Sequence, residues 1–378
     1  MLLHDLKLPG KEGLFKIETD QEMIKSITSG NPTTKNFTSQ DLFFKDAIAY
    51  PGLINSHDHL DFNSFPQLGN RLYQNYTQWG SDIHQQNKDT IQHVANIPQD
   101  LRIRWGAYKN LLNGFTTIVN HGKKLLVDEG LVSVFQQNDA LHSAAFEKNW
   151  KWKLNRPFRR GVPVVMHVGE GTDEKAAAEI TTVTRWNWMK RKIIAVHGIA
   201  MLEWHAKKFA GLVWCPASNQ FMFNQTASVQ RLLSKTQVVF GTDSTLTADW
   251  NAWEHFRDAS KQVNEEELVK MLTVVASSLW DLPDRGTIAE GKRADLLVIR
   301  DRGTFAASNP EDILLVMHRG EIRLIDEEIM HQLNTVALKR FSRIRLRGAM
   351  KWVQGDLPEL ARKIRSFHSE SSFPFQYA

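Results

Sequence analysis

With one cysteine, Cys215, in 378 residues, the chain has no intrachain disulfide and no site of several thiolates, so any metal must rest on His, Asp or Glu. Long hydrophobic runs are missing too. The longest, Ile193 to Leu202, is interrupted by His197, whereas a membrane helix needs roughly 20 apolar residues. The first eight residues carry His4, Asp5 and Lys7 and lead into no apolar stretch with a small-residue cleavage site. No secretory signal is read, and the expectation is a cytoplasmic protein without a membrane partner. Strong charge of one sign is also lacking. The formal balance is +5, yet Lys339 to Lys351 holds six Lys and Arg with no acid, and without those six it is −1. The pI of about 9.1 therefore reflects one patch, which argues against nucleic-acid binding; the patch is expected to be a solvated helix face. What is present, 42% hydrophobic and 24% charged residues, is the usage of a folded globular protein.

Residues 1–50 read as short strands and turns, with Gly13–Ile17 and Leu42–Ala49 as strand candidates around a Ser/Thr/Asn-rich stretch. From Ile48 onward, apolar runs alternate with helical patterns at Leu101–Asn113, Glu174–Lys190 and Glu265–Leu282, the signature of parallel strands with crossover helices. After Asp284, Gly286 and Gly291 precede two short apolar runs that read as hairpins. Helical content is expected around His331–Lys351, followed by a polar, aromatic tail.

Four apolar runs share one feature: each leads into a potential metal ligand. Ala47–Ile54 precedes His57 and His59, Val162–Met166 precedes His167, Ile193–Val196 precedes His197, and Val238–Phe240 precedes Asp243. In a barrel of parallel strands, side chains at the carboxyl ends of several strands converge. Within His57-Asp58-His59, the period of two along a strand points both imidazoles to one face, where they can share an ion. Among 14 histidines one such pair arises readily by chance, so the motif gains weight only from His167, His197 and Asp243.

These residues lie in segments that together resemble the amidohydrolase superfamily: Pro51-Gly52-Leu53-Ile54-Asn55-Ser56-His57-Asp58-His59-Leu60, Met166-His167-Val168-Gly169-Glu170-Gly171, the run ending at His197, Gly241-Thr242-Asp243-Ser244, and Gly286 to Leu296. The chain is most similar to the branch of cytosine deaminase, guanine deaminase, adenosylhomocysteine deaminase and the triazine chlorohydrolases, in which a His is followed three residues later by a Glu. His167 and Glu170 fit, as does Trp214-Cys215-Pro216-Ala217-Ser218-Asn219. The resemblance implies an α/β fold, a (β/α)8 TIM-like barrel over residues 51–284, with a small β-sandwich domain made from both chain ends, residues 1–50 and 285–326. Residues 327–378 would be a C-terminal helical extension and tail.

Carried over position by position, the resemblance makes His57, His59, His167 and Asp243 the metal ligands, with Glu170, His197 and Asp243 catalytic. A second ion would need a carboxylated lysine at the end of the fourth strand. Lys123 and Lys124 follow the second strand instead, so one divalent ion is expected, zinc by frequency, although the same donors accept Fe2+ or Mn2+. The ion would acidify water, and Glu170 would relay its proton to the leaving amine; the bland alternative for Glu170 is a helix cap. Phe62, Trp79, His121, Asn219 and Met222 are the substrate-binding candidates, with Phe221 beside them. Cys215 reads as buried and structural. The expected activity is a mononuclear zinc deaminase of a nucleobase-like small molecule. The rivals are a chlorohydrolase or cyclic amidohydrolase of the same fold, and a catalytically silent relative; a homo-oligomer is compatible with the chain. Gly169 departs from the branch, which usually has Ala there. Only 107 residues separate His59 from His167, short for the second to fourth strands with their loops.

Overall fold

The computed structural model describes residues 1–30, 41–128, 130–333 and 339–377, so the Ser/Thr/Asn-rich stretch at 31–40 lies outside the described residues. In chain order the strands are β1 (Leu2–Lys7), β2 (Phe15–Asp20), β3 (Met23–Ser29), β4 (Asp41–Pro51), β5 (Leu53–Asp58), β6 (Phe115–Asn120), β7 (Ser133–Phe135), β8 (Asp139–Leu141), β9 (Val164–Val168), β10 (Ile193–His197), β11 (Gly211–Trp214), β12 (Gln237–Phe240), β13 (Leu296–Arg300), β14 (Ile313–His318), β15 (Glu321–Asp326), β16 (Phe341–Leu346), β17 (Ala349–Gln354) and β18 (Phe375–Tyr377). No described helix is long and apolar enough to cross a membrane.

Two parallel ladders occupy the middle of the chain, β5-β6-β7 and β8-β9-β10-β11-β12. Every residue of β9, β10 and β11 is buried, as strands covered on both faces require. The ladders meet again at β12 and β5, where Asp243 N–H donates to the His57 carbonyl at 3.0 Å. Helices follow the strands: Gln99–Leu111, Glu174–Arg185, and a pair, Glu265–Leu272 and Val274–Leu279, that replaces the single helix expected there. Thr273, at φ −134° and ψ −99°, breaks it. The short count between His59 and His167 has a physical cause: β7 and β8 have three residues each and only Gln136 to Asn138 join them. That is far less than the dozen or so a helical crossover needs, so no helix separates the two ladders.

The remaining ten strands form one sheet, in the order β18-β16-β17-β15-β14-β13-β4-β1-β2-β3, with both chain ends contributing. The apolar run Ala47–Ile54 is divided at Gly52 between this sheet and the first parallel ladder.

The C-terminal stretch corrects two expectations. Residues 341–354 are not helical; they form the β16–β17 hairpin, while 334–338 lie outside the described residues. Ile344 and Leu346 are buried while Arg343 and Arg345, each one residue before them, are exposed, a period of two that fits a strand and not a helix. Arg347 and Gly348, both at positive φ (46° and 95°), close a two-residue turn of the kind that matches strand twist. Nor is the basic patch merely solvated: Arg343 pairs with Glu327 and Arg347 with Glu311, and Lys351, fully buried, meets Asp326 at 2.6 Å. A helix does follow, at Leu357–Phe367.

Candidate metal centre

The site begins with β5. His57 and His59 turn their rings to one side, centroids 5.0 Å apart, and Asp58 between them turns to the other. There Asp58 accepts hydrogen bonds from Asn110 (2.6 Å) and Asn63 (2.8 Å) and faces the Lys109 ammonium at 3.0 Å. Both charges of this pair are buried, and Lys109 also donates to Asn63 Oδ1 at 2.9 Å. Asn55 extends the network: its Oδ1 accepts from Thr242 N–H at 3.0 Å and its amide donates to Thr242 Oγ1 at 2.7 Å. The end of β5 and the residue before Asp243 are thereby fastened to the helix Gln99–Leu111.

His167 on β9 brings its Nε2 to 3.2 Å from His57 Nε2. Asp243 Oδ1 stands 3.8 Å from His57 Nε2 and 3.7 Å from His59 Nε2. Donors 2.0–2.2 Å from one tetrahedral ion lie about 3.3–3.6 Å apart, so these separations fit a shared divalent ion. His57, His167 and His197 form a second, overlapping donor group. His197 and Asp243 both adopt left-handed backbone (φ 70° and 57°), a conformation that costs a non-glycine residue of order 1–3 kcal/mol and collects at functional sites.

Asp243 is held from behind. Ser218 and Thr247 hydroxyls donate to Asp243 Oδ2 at 2.8 and 3.1 Å, and Ser244 N–H donates to Oδ1 at 2.8 Å. Burial pushes the Asp243 pKa up, but the nearby His59 and His197 and these hydrogen bonds outweigh it and hold the carboxyl below its usual range. Burial drives the His57 and His167 pKa values well below the ordinary imidazole value, which keeps the rings neutral, the form that binds a metal. Cys215 is buried, and burial raises its thiol pKa well above normal, in keeping with a structural role.

Glu170 follows β9, with an oxygen 3.6 Å from His197 Nε2. It does not cap the helix behind it, since Asp173 accepts from Ala176 N–H there. Burial, then Asp243 and Glu179, raise the Glu170 pKa well above the carboxylate value. Gly169 beside it has φ 66°, and a Cβ would come within 2.7 Å of Ile180 Cδ1, which explains why Ala is absent here.

A cavity of about 70 Å³ touches His59, His167, Glu170, His197 and Asp243, and Phe62, Trp79 and Met222 line it. Tyr76, Phe146 and Leu246 complete the apolar wall. Phe62 stacks on His59 with ring centroids 5.4 Å apart. Asn219 is a correction: it lies behind His197, fully buried, its Oδ1 2.8 Å from His197 Nδ1. Because Asn219 Nδ2 donates to Thr226 Oγ1, its Oδ1 accepts from His197 Nδ1–H and leaves Nε2 as the acceptor facing the site. Phe221 does not line this cavity.

His121 stands among the rings, 4.5 Å from His167 and 5.0 Å from His57, centroid to centroid. His142, which the sequence reading did not single out, follows β8 with its ring 5.0 Å from that of His167. It occupies the position where a second-metal lysine was sought.

Residues 147–323 match the model of the Amidohydrolase family. The chain is similar in structure to an adenosine deaminase from Xanthomonas campestris with bound zinc, at TM-score 0.71 and 15% identity over 97% of each chain. It is similar to the atrazine chlorohydrolase of Arthrobacter aurescens TC1 complexed with zinc, at TM-score 0.67 and 15% identity over 97% of this chain and 99% of that one. A prolidase complexed with N-methylphosphonate-L-proline gives TM-score 0.55 and 17% identity over 85% and 98%. No curated protein sequence matches the chain. The family model bears out the resemblance to the amidohydrolase superfamily over the residues it matches, and the similar structures share the fold.

Proposed function

We propose that the chain is a metal-dependent hydrolase of non-peptide carbon–nitrogen bonds, a mononuclear zinc deaminase of a planar, nucleobase-like heterocycle. The two parallel ladders support reading the setting of this site as a (β/α)8-type barrel. The observation that carries this reading is a pair of donor groups that share His57, one with His59 and Asp243 and one with His167 and His197, next to the buried Glu170 carboxyl. Zinc in the adenosine deaminase and chlorohydrolase structures supports the choice of ion.

His57, His59, His167 and Asp243 would hold the ion, which supplies Lewis acidity that acidifies water and polarises the reacting carbon. Phe62, Trp79 and Met222 pack the faces of a flat ring and exclude bulk water from it. His197 Nε2, fixed as an acceptor by Asn219, orients the substrate edge or the water. Glu170, as the carboxylate, takes a proton from water and delivers it to the departing amine, and burial, which raises its pKa, favours that uptake. Asp243 assists in the first transfer, its oxygens kept in place by Ser218, Thr247 and Ser244.

The likeness to the atrazine chlorohydrolase supports a second reading, displacement of a ring chloride in the same site; release of ammonia or chloride from a panel of purines, pyrimidines and triazines separates the two. The first test is metal content by mass spectrometry on protein purified without chelator. About one equivalent of zinc, lost in His57→Ala, is expected. Glu170→Gln should keep the metal and lose at least about 100-fold in turnover. A metal-replete Glu170→Gln protein with full turnover would sink the proposed relay.

A further inference from the structure

Beside the small reactive cavity lies a hollow of about 680 Å³. It sits where the two ladders part, bordered by Gly122 to Leu125 after β6 and by Asn138 to Leu141 along β8. His59, Phe62 and His142 line both spaces, so the hollow adjoins the reactive cavity. It exists because no helix crosses between β7 and β8.

Its wall carries polar groups that the protein itself leaves unused. Asn138 is 7% exposed and its Nδ2 has no hydrogen-bond partner. Arg156 has a buried Nε without a partner, and its guanidinium lies over the Trp152 ring at 4.8 Å. His121 is 4% exposed with both ring nitrogens unpartnered. Lys123 and Lys124 are exposed at the rim and take part in no ion pair among the described residues. The acids in the wall are mostly spent: Asp139 pairs with Arg159 and Arg191, and Glu147 with Lys153. Asp61, which accepts from Gln99, is the remaining carboxylate against three unpaired cations. Buried donors without partners are costly and rare. Two such donors, Asn138 and Arg156, beside a surplus of positive charge suit an anionic ligand.

We propose that this hollow seats the acidic end of the substrate, a carboxylate or phosphate group carried on the molecule whose carbon–nitrogen bond is cleaved at the adjoining metal centre. This rests on the hydrolase reading above. Arg156 presents the planar fork that matches either oxyanion, Asn138 supplies a neutral N–H donor, and Lys123 and Lys124 act as rim charges that draw the anion in. The substrate is then an acidic derivative of an aminated ring, its flat part between Phe62, Trp79 and Met222 and its acid at Arg156.

The test is calorimetric titration of inorganic phosphate and of succinate into the full chain purified without chelator, at low and high salt. One of the two should bind, more weakly at high salt. Arg156→Gln should weaken it about tenfold, as loss of a charge-assisted hydrogen bond implies. The exposed double change Lys123→Gln/Lys124→Gln, which leaves the core untouched, should weaken it too, and Lys208→Gln, outside the hollow, should not. Tighter phosphate binding marks phosphorylated substrates, and tighter succinate binding marks carboxylates. The proposal is overturned if neither anion binds, or if the Arg156 and lysine variants bind as the parent does. Anion binding that depends on Arg156 in protein holding no metal would keep the acid site and overturn the hydrolase reading instead.

Discussion

Replacing Lys109 by Met tests whether the buried network behind the metal ligands holds them in place. The Lys109 side chain is 3% exposed and that of Asp58 is fully buried, with Nζ and Oδ2 3.0 Å apart. Removing the ammonium strands the Asp58 charge in the interior. Breaking a buried pair this way costs about 3–5 kcal/mol. The amide donors of Asn110 and Asn63 remain on Asp58, and such hydrogen bonds to a charged group are worth about 1.5–3 kcal/mol each, so the lower end, about 3 kcal/mol, is expected. Asp58→Asn alone should cost a similar amount, because it leaves the ammonium without its counter-charge. The double variant should cost far less than the sum, with a coupling energy of about 2 kcal/mol or more. Urea unfolding followed by tryptophan fluorescence and circular dichroism gives the three values, and metal content measured alongside reports the site. Because the network also grips Thr242, next to Asp243, Lys109→Met should retain less zinc than the parent. Additive costs, or a Lys109→Met protein within about 1 kcal/mol of the parent with full metal, would refute this reasoning.

Other outcomes follow from the same geometry. Asn219→Ala frees His197 Nδ1 and with it the ring's tautomer; turnover should fall about 10–100-fold with the metal retained, and loss of the metal instead would place His197 among the required ligands. Chelation should lower the melting temperature and zinc should restore it, since an ion present at a thousand times its dissociation constant stabilises by about 4 kcal/mol; an unchanged melt would count against a resident ion. Asp139 is pushed up by burial but held below the usual carboxylate range by Arg159 and Arg191. A folded-state pKa below the unfolded one contributes stability above about pH 4 that is lost as pH falls through the folded value. Asp139→Asn should therefore be less stable than the parent at pH 7, with the gap closing toward pH 3, and a gap that does not depend on pH would show that the ion pairs do not supply it.

Sequence periodicity made the ligands at β5, β9, β10 and after β12 readable because each lies at or shortly after the end of an apolar run, and a strand buried on both faces cannot be mistaken for solvent-facing chain. It failed at β7 and β8, whose three residues each are too few to show any period, and so His142 passed unnoticed. It was misread at β16, where alternating Ile and Leu among arginines spelled a strand and the clustered charge suggested a helix. Asn219, three residues before Met222, does not line the cavity with it; the helix Pro216–Phe223 carries it behind His197.

The sequence by itself determined that His57 and His59 share a face, that Asp58 turns away from them, and that any metal must sit on imidazole and carboxylate donors, since these follow from strand pitch and residue type. Only the tertiary structure decided that Lys109 and Asn110 meet Asp58, that both chain ends enter one ten-stranded sheet, and that a wide hollow lined by Asn138 and Arg156 opens beside the site. Those pairings join residues tens to hundreds of positions apart, and they depend on how the ladders close and where a crossover is missing. Local pattern carries no record of either.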